Sequence, residues 1–362
     1  MNVEISVFFN YFHEKLKCGT LIAYIIDNED MKWETKLGGD KVKRYVLRRI
    51  ITGILTVLIV FVLNFFLIQA APGDPVTTLM GKDNHDPEVR QALMEKYGYD
   101  QPVVVQLGRQ LKTLFQGDLG DSVIQNRSVG EMIGEKLGPT ILLGLTGAVL
   151  AAVIGTLLGI LAARKEGKPL DIAASGASYV FSAMPQFWLG LMLIIVFSSE
   201  LGWFPSYGMT DTRASYTGLA YAVDVLKHMF LPLVTLTLVL IPQYFRIAKS
   251  SVLQVANEEF IQTFRAAGMD EKKIFRKYVF RNAILPTVTI FGISMAYLLT
   301  GVMLIEIVFA WPGMGRLMTT AISQRDYPTL IGINLIMAIS VAVVMLVVDI
   351  VYAKLDPRIR YE

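Results

Sequence analysis

Six stretches of this 362-residue chain contain no Asp, Glu, Lys or Arg: 50–73, 137–163, 172–199, 228–245, 282–305 and 327–348. Each is 18 to 28 residues long, and a helix of ~20 apolar residues crosses a bilayer core about 30 Å thick. In hydrocarbon the backbone must satisfy its own hydrogen bonds, so the stretches are predicted to be helices rather than loops. Composition agrees, with 53% hydrophobic and 18% charged residues, against about 25% charged in soluble domains. The expected fold is therefore all-α, a polytopic membrane protein with six transmembrane helices in a lipid bilayer. A disordered or collagen-like chain is excluded, and a net charge of +3 is too small to point to nucleic acid. The single cysteine, Cys18, allows no internal disulfide, and His13, His85 and His228 are too scattered to suggest a metal or catalytic cluster.

Orientation follows from the basic residues. With the N-terminus inside, segments 1–49, 164–171, 246–281 and 354–362 hold 23 of the 34 Lys and Arg, the cytoplasmic excess expected of short loops. Of the remaining 11, seven lie in the long 71–136 segment, which also carries 10 acids. Both termini are expected in the cytoplasm. The chain then divides into an N-terminal extension 1–43, a first transmembrane helix 44–70, and an extracytoplasmic platform 71–136. A transmembrane core 137–353 follows, with an inner loop 246–283, and the chain closes on a tail 354–362. Residues 1–40 do not form a signal peptide, since Glu4 interrupts the n-region and no small-residue cleavage site follows. They read equally as amphipathic helices on the inner membrane face, or as a poorly ordered tail, with Met31 an alternative start.

The 71–136 segment exceeds a simple connector. Asp86-Pro87-Glu88 reads as a helix start and Gly98 as its stop. Gln101-Pro102 opens a second helix, with Val105, Leu107, Leu111 and Leu114 on its apolar side and Gly117 at its end. Ser128-Val129-Gly130-Glu131 reads as a capping box running into the second span. The platform is either a docking surface for an external partner, a cap over a pore, or a packing element.

Within the membrane, Gly144, Ala148, Ala151 or Ala152, Gly155 and Gly159 line one side of the second span, a pattern that allows close helix approach. Pro185, Pro232 and Pro242 fall in mid-span, where each removes a helical hydrogen bond. Glu306 and Asp349 border spans, near the outer and inner interfaces. No carboxylate or histidine sits at the midplane, which argues against a proton-coupled carrier. Phosphate-loop, zinc-protease and nucleophile-elbow motifs are all missing from this sequence. No catalytic, metal or cofactor residue is assigned, and active transport would need another chain to hydrolyse ATP.

The inner loop is the most informative segment. Asn257-Glu258-Glu259 starts a short helix over 260–267 that Gly268 stops, and Asp270 caps a second helix, Glu271 to Arg281, rich in Lys and Arg. On physics alone this elbow is either a grip for a soluble partner or a surface helix pair held by anionic lipid.

The stretch Phe260-Ile-Gln-Thr-Phe-Arg-Ala-Ala-Gly268, continuing to Arg281-Asn-Ala-Ile-Leu-Pro286, resembles the cytoplasmic loop of ABC importer permeases of the dipeptide/oligopeptide/nickel family. In order along the chain stand Ala71-Pro72-Gly73-Asp74-Pro75, Gly117-Asp-Leu-Gly-Asp-Ser122, Glu306-Ile-Val-Phe-Ala-Trp311-Pro312-Gly313-Met-Gly315, Arg325-Asp-Tyr-Pro328 and Asp349 to Arg360. The likeness covers roughly residues 44–360, and the closing Leu-Asp-Pro-Arg-Ile-Arg resembles the first of the two permeases such importers contain. The resemblance implies a type I importer fold in a bacterial cell membrane, and a second homologous permease. It also implies two ATPase subunits that carry ATP and Mg²⁺, and an extracytoplasmic substrate-binding protein. It implies a coupling helix around Thr263–Gly268, with Glu259, Thr263, Phe264, Arg265, Ala266 and Gly268 as ATPase-facing residues. Gln262, Thr263 and Phe264 stand where the general importer loop has Glu-Ala-Ala.

Pro72, Gly73, Asp74 and Pro75 form an outer-loop motif. Glu306, Trp311, Pro312 and Gly313 are either an outer gate or binding-protein contact, or an aromatic anchor followed by a turn. The predicted function is a non-enzymatic permease subunit for short peptides. A nickel or other small-solute importer, a self-sufficient channel or carrier, and a membrane-embedded enzyme or scaffold are the rivals.

Overall fold

The computed structural model describes residues 39–70, 76, 80, 86–214, 216–298 and 302–355. The N-terminal extension up to residue 38, the tail from residue 356, and the motif Pro72, Gly73, Asp74 and Pro75 lie outside the described residues. The chain divides into Met1–Tyr45, of which only the start of one helix is described, and a body, Val46–Glu362. The packing below belongs to the body.

The regular structure of the described residues is helical, apart from an isolated antiparallel bridge between Asp121 and Ser128. The long helices are α1 Gly39–Ala70, α4 Val129–Arg164, α7 Gly218–Ala256, α9 Glu271–Ala296 and α12 Tyr327–Leu355. Shorter ones complete the order: α2 Pro87–Tyr97, α3 Val103–Phe115, α5 Pro169–Ala183, α6 Gln186–Glu200, α8 Glu259–Ala266, α10 Met303–Val308 and α11 Met314–Gln324. Five are long and apolar enough to cross a membrane, and α5 with α6 make a sixth span if taken together.

That sixth span is not the straight helix expected over 172–199. α5 and α6 meet at 103°, because Pro185 has no N–H to continue the ladder and drives Met184 into extended backbone, ψ 130°. Pro232 and Pro242 lie inside α7, which stays continuous. The fifth span also differs from 282–305. Its helix starts at Glu271, where the Asp270 side chain accepts the Lys273 amide at 3.1 Å, and passes through a π-helical segment at Phe275–Val279. The basic residues from Lys272 to Arg281 therefore extend a transmembrane helix instead of forming a separate one.

α4 packs along α7 through the row of small residues. A Cβ on Gly159 would stand 2.5 Å from the Phe245 carbonyl oxygen, and one on Gly155 2.8 Å from that of Ile241. Close helix packing is thus the role of this row. Among the platform helices, Asp86 accepts the Glu88 amide at 3.0 Å and Gly98 ends α2 in the left-handed region, φ 71°. Val103, Leu107, Leu111 and Leu114 of α3 pack on Phe61 and Phe65 of α1 and on Ile331 and Leu335 of α12. Val105 is exposed, not part of the apolar side, since the packed residues repeat from Val103. α4 begins at Val129, but the Ser128 side chain makes no capping bond. Glu131 instead pairs with Arg127 at 3.3 Å.

Candidate functional site

The inner elbow is α8 with the turn that follows it. Helix α8 closes in a Schellman arrangement: the amide of Met269 donates to the Phe264 carbonyl at 3.1 Å and that of Gly268 to Arg265 at 3.0 Å. This needs a left-handed residue, and Gly268 provides it at φ 74°. Ile261 is fully buried with Val252, Ile274, Val279 and Ala283, and Phe264 and Met269 pack against the same cluster. The Phe264 ring lies 4.5 Å from that of Tyr278. Arg265 donates to Glu271 at 2.8 Å and to the Ala256 carbonyl at 3.4 Å. The elbow is thus fastened to the end of α7 and the start of α9.

The sequence-assigned residues divide between two roles. Phe264 and Arg265 hold the elbow in place, whereas Glu259, Thr263, Ala266 and Gly268 lie on its exposed surface. The Thr263 hydroxyl is turned back to the Glu259 carbonyl at 3.0 Å. Phe260, absent from the sequence assignment, is 42% exposed and stacks edge-on against Phe264 at 6.0 Å. An apolar ring bordered by polar groups is the common composition of a docking patch. Its position three residues before Thr263, on the same helical face, is the signal that could have found it.

The second constellation is built around Glu306, which belongs to α10 and is fully buried. Its place at the end of a charge-free stretch suggested a residue near the interface, and it is packed inside the protein there. Its carboxylate accepts the Thr140 hydroxyl at 2.5 Å, the Gly315 amide at 2.6 Å and the Arg316 amide at 3.4 Å. The last two donors belong to the first turn of α11, so Glu306 caps that helix from outside and meets the positive end of its dipole. Gly313 is required here, because a Cβ would lie 2.0 Å from Glu306 Oε1. Trp311 is also fully buried, and its indole Nε1 donates to the Pro139 carbonyl at 3.0 Å. Pro312 is half-buried. Neither Glu306 nor Trp311 presents a surface to a docked protein or to the lipid interface. The motif joins α4, α10 and α11.

Two other resemblance motifs meet as well. Ser122 donates to Asp326 at 2.5 Å, and Thr329 donates to the same carboxylate oxygen at 2.7 Å. Elsewhere, Arg49 of α1 pairs with Asp349 of α12 at 2.9 Å.

Comparison with known proteins gives a consistent result. The family described as "Binding-protein-dependent transport system inner membrane component" matches residues 155–361, and its N-terminal counterpart matches 42–141. The chain is 36% identical over 322 residues to an oligopeptide transport system permease protein, AppB, of Bacillus subtilis (strain 168), covering 88% of this chain and 99% of the relative. It is 35% identical over 323 residues to a glutathione transport system permease protein, GsiC, of Escherichia coli O6:H1 (strain CFT073), again covering 88% and 99%. A solved structure of the MetNI methionine ABC transporter in an inward-facing conformation superimposes with a TM-score of 0.50 at 17% identity, covering 62% of this chain and 96% of that one. At that identity the likeness concerns the fold alone.

Proposed function

Because this chain belongs to the family of binding-protein-dependent transport system inner membrane components, we propose that it is one permease subunit of an ATP-driven importer of short peptides. It forms half of a pathway with a second, related permease. Two ATPase subunits drive it from the cytoplasm, where both termini lie, and an extracytoplasmic binding protein delivers the solute. The peptide cargo is supported by the relatives, whose names specify oligopeptide, glutathione and di/tripeptide transport.

The observation that carries the proposal is the construction of the elbow. α8 exposes Phe260, Gln262 and Thr263, while Ile261, Phe264 and Arg265 fasten it to α7 and α9. An ATPase gripping that exposed face moves two transmembrane helices with it, because a packed core transmits displacement instead of absorbing it. ATP hydrolysis on the partners thereby reaches the spans, and the chain itself performs no chemistry. A surface helix pair held only by anionic lipid needs no such fastening.

Affinity purification from the native membrane tests the composition. A second permease and ATPase subunits are expected to remain bound, and recovery of this chain alone would favour a self-sufficient carrier. Within the purified assembly, Arg265→Glu places two acids face to face at Glu271. Solute-stimulated ATPase activity is expected to disappear while membrane insertion persists, and unchanged stimulation would count against the elbow as the coupling element.

A further inference from the structure

A cavity of about 220 Å³ lies between α4, α7 and α9, and its polar lining is Gln243, Ser294 and Tyr297. Its depth follows from the charge-free stretches. Ser294 is at the centre of 282–305 and Ala148, also in the lining, is close to the centre of 137–163, while Gln243 is two residues from the end of 228–245, so the cavity runs from the middle of the span towards that end. None of the lining residues is Asp, Glu, Lys, Arg or His. The space exists because α4 presents Gly144 and Ala148 on this side. A Cβ on Gly144 would already stand 2.5 Å from the Leu298 side chain. α9 stops beside the cavity, where Tyr297 takes turn geometry, φ −92° and ψ 6°. Interruptions at membrane depth are tolerated where they are packed in protein or line a hydrated space.

The Gln243 carboxamide is half-buried and makes no hydrogen bond within the described residues. A primary amide with two donors and an acceptor is poorly placed in hydrocarbon without partners. An unpaired amide beside a serine, a tyrosine and an otherwise apolar wall has the composition of a small-molecule site: mainly apolar, with a few convergent polar groups.

We propose that Gln243, with Ser294 and Tyr297, contacts the transported solute at this mid-membrane cavity, reading uncharged hydrogen-bonding groups such as peptide amides and not side-chain charge. This rests on the transport reading above and adds to it the residues that meet the cargo. Tyr297 is 58% exposed, so the site is open on that side. An uncharged site passes peptides of either charge sign, and leaves charge selection to the binding protein.

The test uses the whole assembly in proteoliposomes, with Ala-Ala-Ala, Ala-Lys-Ala and Ala-Glu-Ala as probes. Gln243→Leu, which removes the amide, is expected to lower uptake of all three about fivefold, the loss of one hydrogen bond. Gln243→Glu is expected to raise the ratio of Ala-Lys-Ala to Ala-Glu-Ala uptake several-fold over wild type, as a new charge in a low-dielectric site dictates. The binding protein is the same in every assembly, so a changed ratio belongs to the permease. Wild-type uptake by both variants, or an equal loss of all three peptides in Gln243→Glu, would overturn the assignment. A wild-type assembly that takes up none of the peptides on ATP would instead overturn the transport reading, and this inference with it.

Discussion

The Thr140 hydroxyl donates to Glu306 at 2.5 Å and accepts the Met314 amide at 2.8 Å. One side chain on α4 thus fixes both the acid of α10 and the first residue of α11. Glu306→Gln keeps the shape but turns one accepting oxygen into a donor, facing either the Thr140 hydroxyl or the Gly315 amide. Leaving such buried groups mismatched costs about 1–3 kcal/mol. Thermal unfolding in lipid nanodiscs should show a lower midpoint for Glu306→Gln than for wild type. An unchanged midpoint would mean that the acid does not brace the three helices.

The α4–α7 contact predicts a graded glycine series. A Cβ at Gly159 meets backbone, the Phe245 carbonyl, so the helices must separate. Overpacking of this kind costs about 1–3 kcal/mol. At Gly134 of the same helix nothing lies within 4 Å, and a helical Gly→Ala change in open space gains about 0.4–1 kcal/mol. Gly159→Ala should therefore lower thermal stability and folded yield, whereas Gly134→Ala should leave both at or above the wild-type level. The reverse order would contradict the packing described.

Local and membrane-scale features were legible in the sequence because their causes are near in the chain. Charge-free length gives the spans, and the stops at Gly98 and Gly268 and the cap at Asp270 depend on neighbours a few residues away. The burial of Glu306 was not legible, since its partner Thr140 is 166 residues distant and a carboxylate at a span's end reads equally as interfacial. The same distance problem hid the meeting of Ser122 with Asp326. Ser128 shows the opposite failure: a local capping signal was present, but Arg127 drew Glu131 away. Pro185, Pro232 and Pro242 carry the same local signal. Only the first breaks its helix, and the sequence alone does not separate them. At the elbow, the exposed and fastening residues alternate within a single turn, so their division between docking and support required the packing of Ile261 and Phe264.

Ser122 and Thr329 both donate to one oxygen of Asp326, and the carboxylate is almost fully buried. The bond ties the end of the platform to the start of α12. Asp326→Ala leaves two buried hydroxyls without an acceptor, again a cost of about 1–3 kcal/mol. The platform is expected to loosen from α12 before the spans do. Limited proteolysis should then cleave Asp326→Ala near residues 116–128 faster than wild type. Equal cleavage rates would show that the α3 apolar contacts with Phe61 and Ile331 hold the platform unaided.

The elbow turn separates backbone geometry from side-chain contact. Gly268 sits at φ 74° with nothing within 4 Å of where a Cβ would be, so a substitution there is penalised by conformation and not by a clash. For alanine that penalty is about 1–2 kcal/mol, while asparagine visits the left-handed region more readily. Gly268→Ala should reduce solute-stimulated ATPase activity in the purified assembly, and Gly268→Asn should restore much of it. If both variants fall equally, the glycine is needed for close approach of the partner and not for the turn. If neither falls, the Schellman closure at Phe264 and Arg265 is not what positions α8. Either result is read against insertion and folded yield, which a substitution in this turn is expected to leave unchanged.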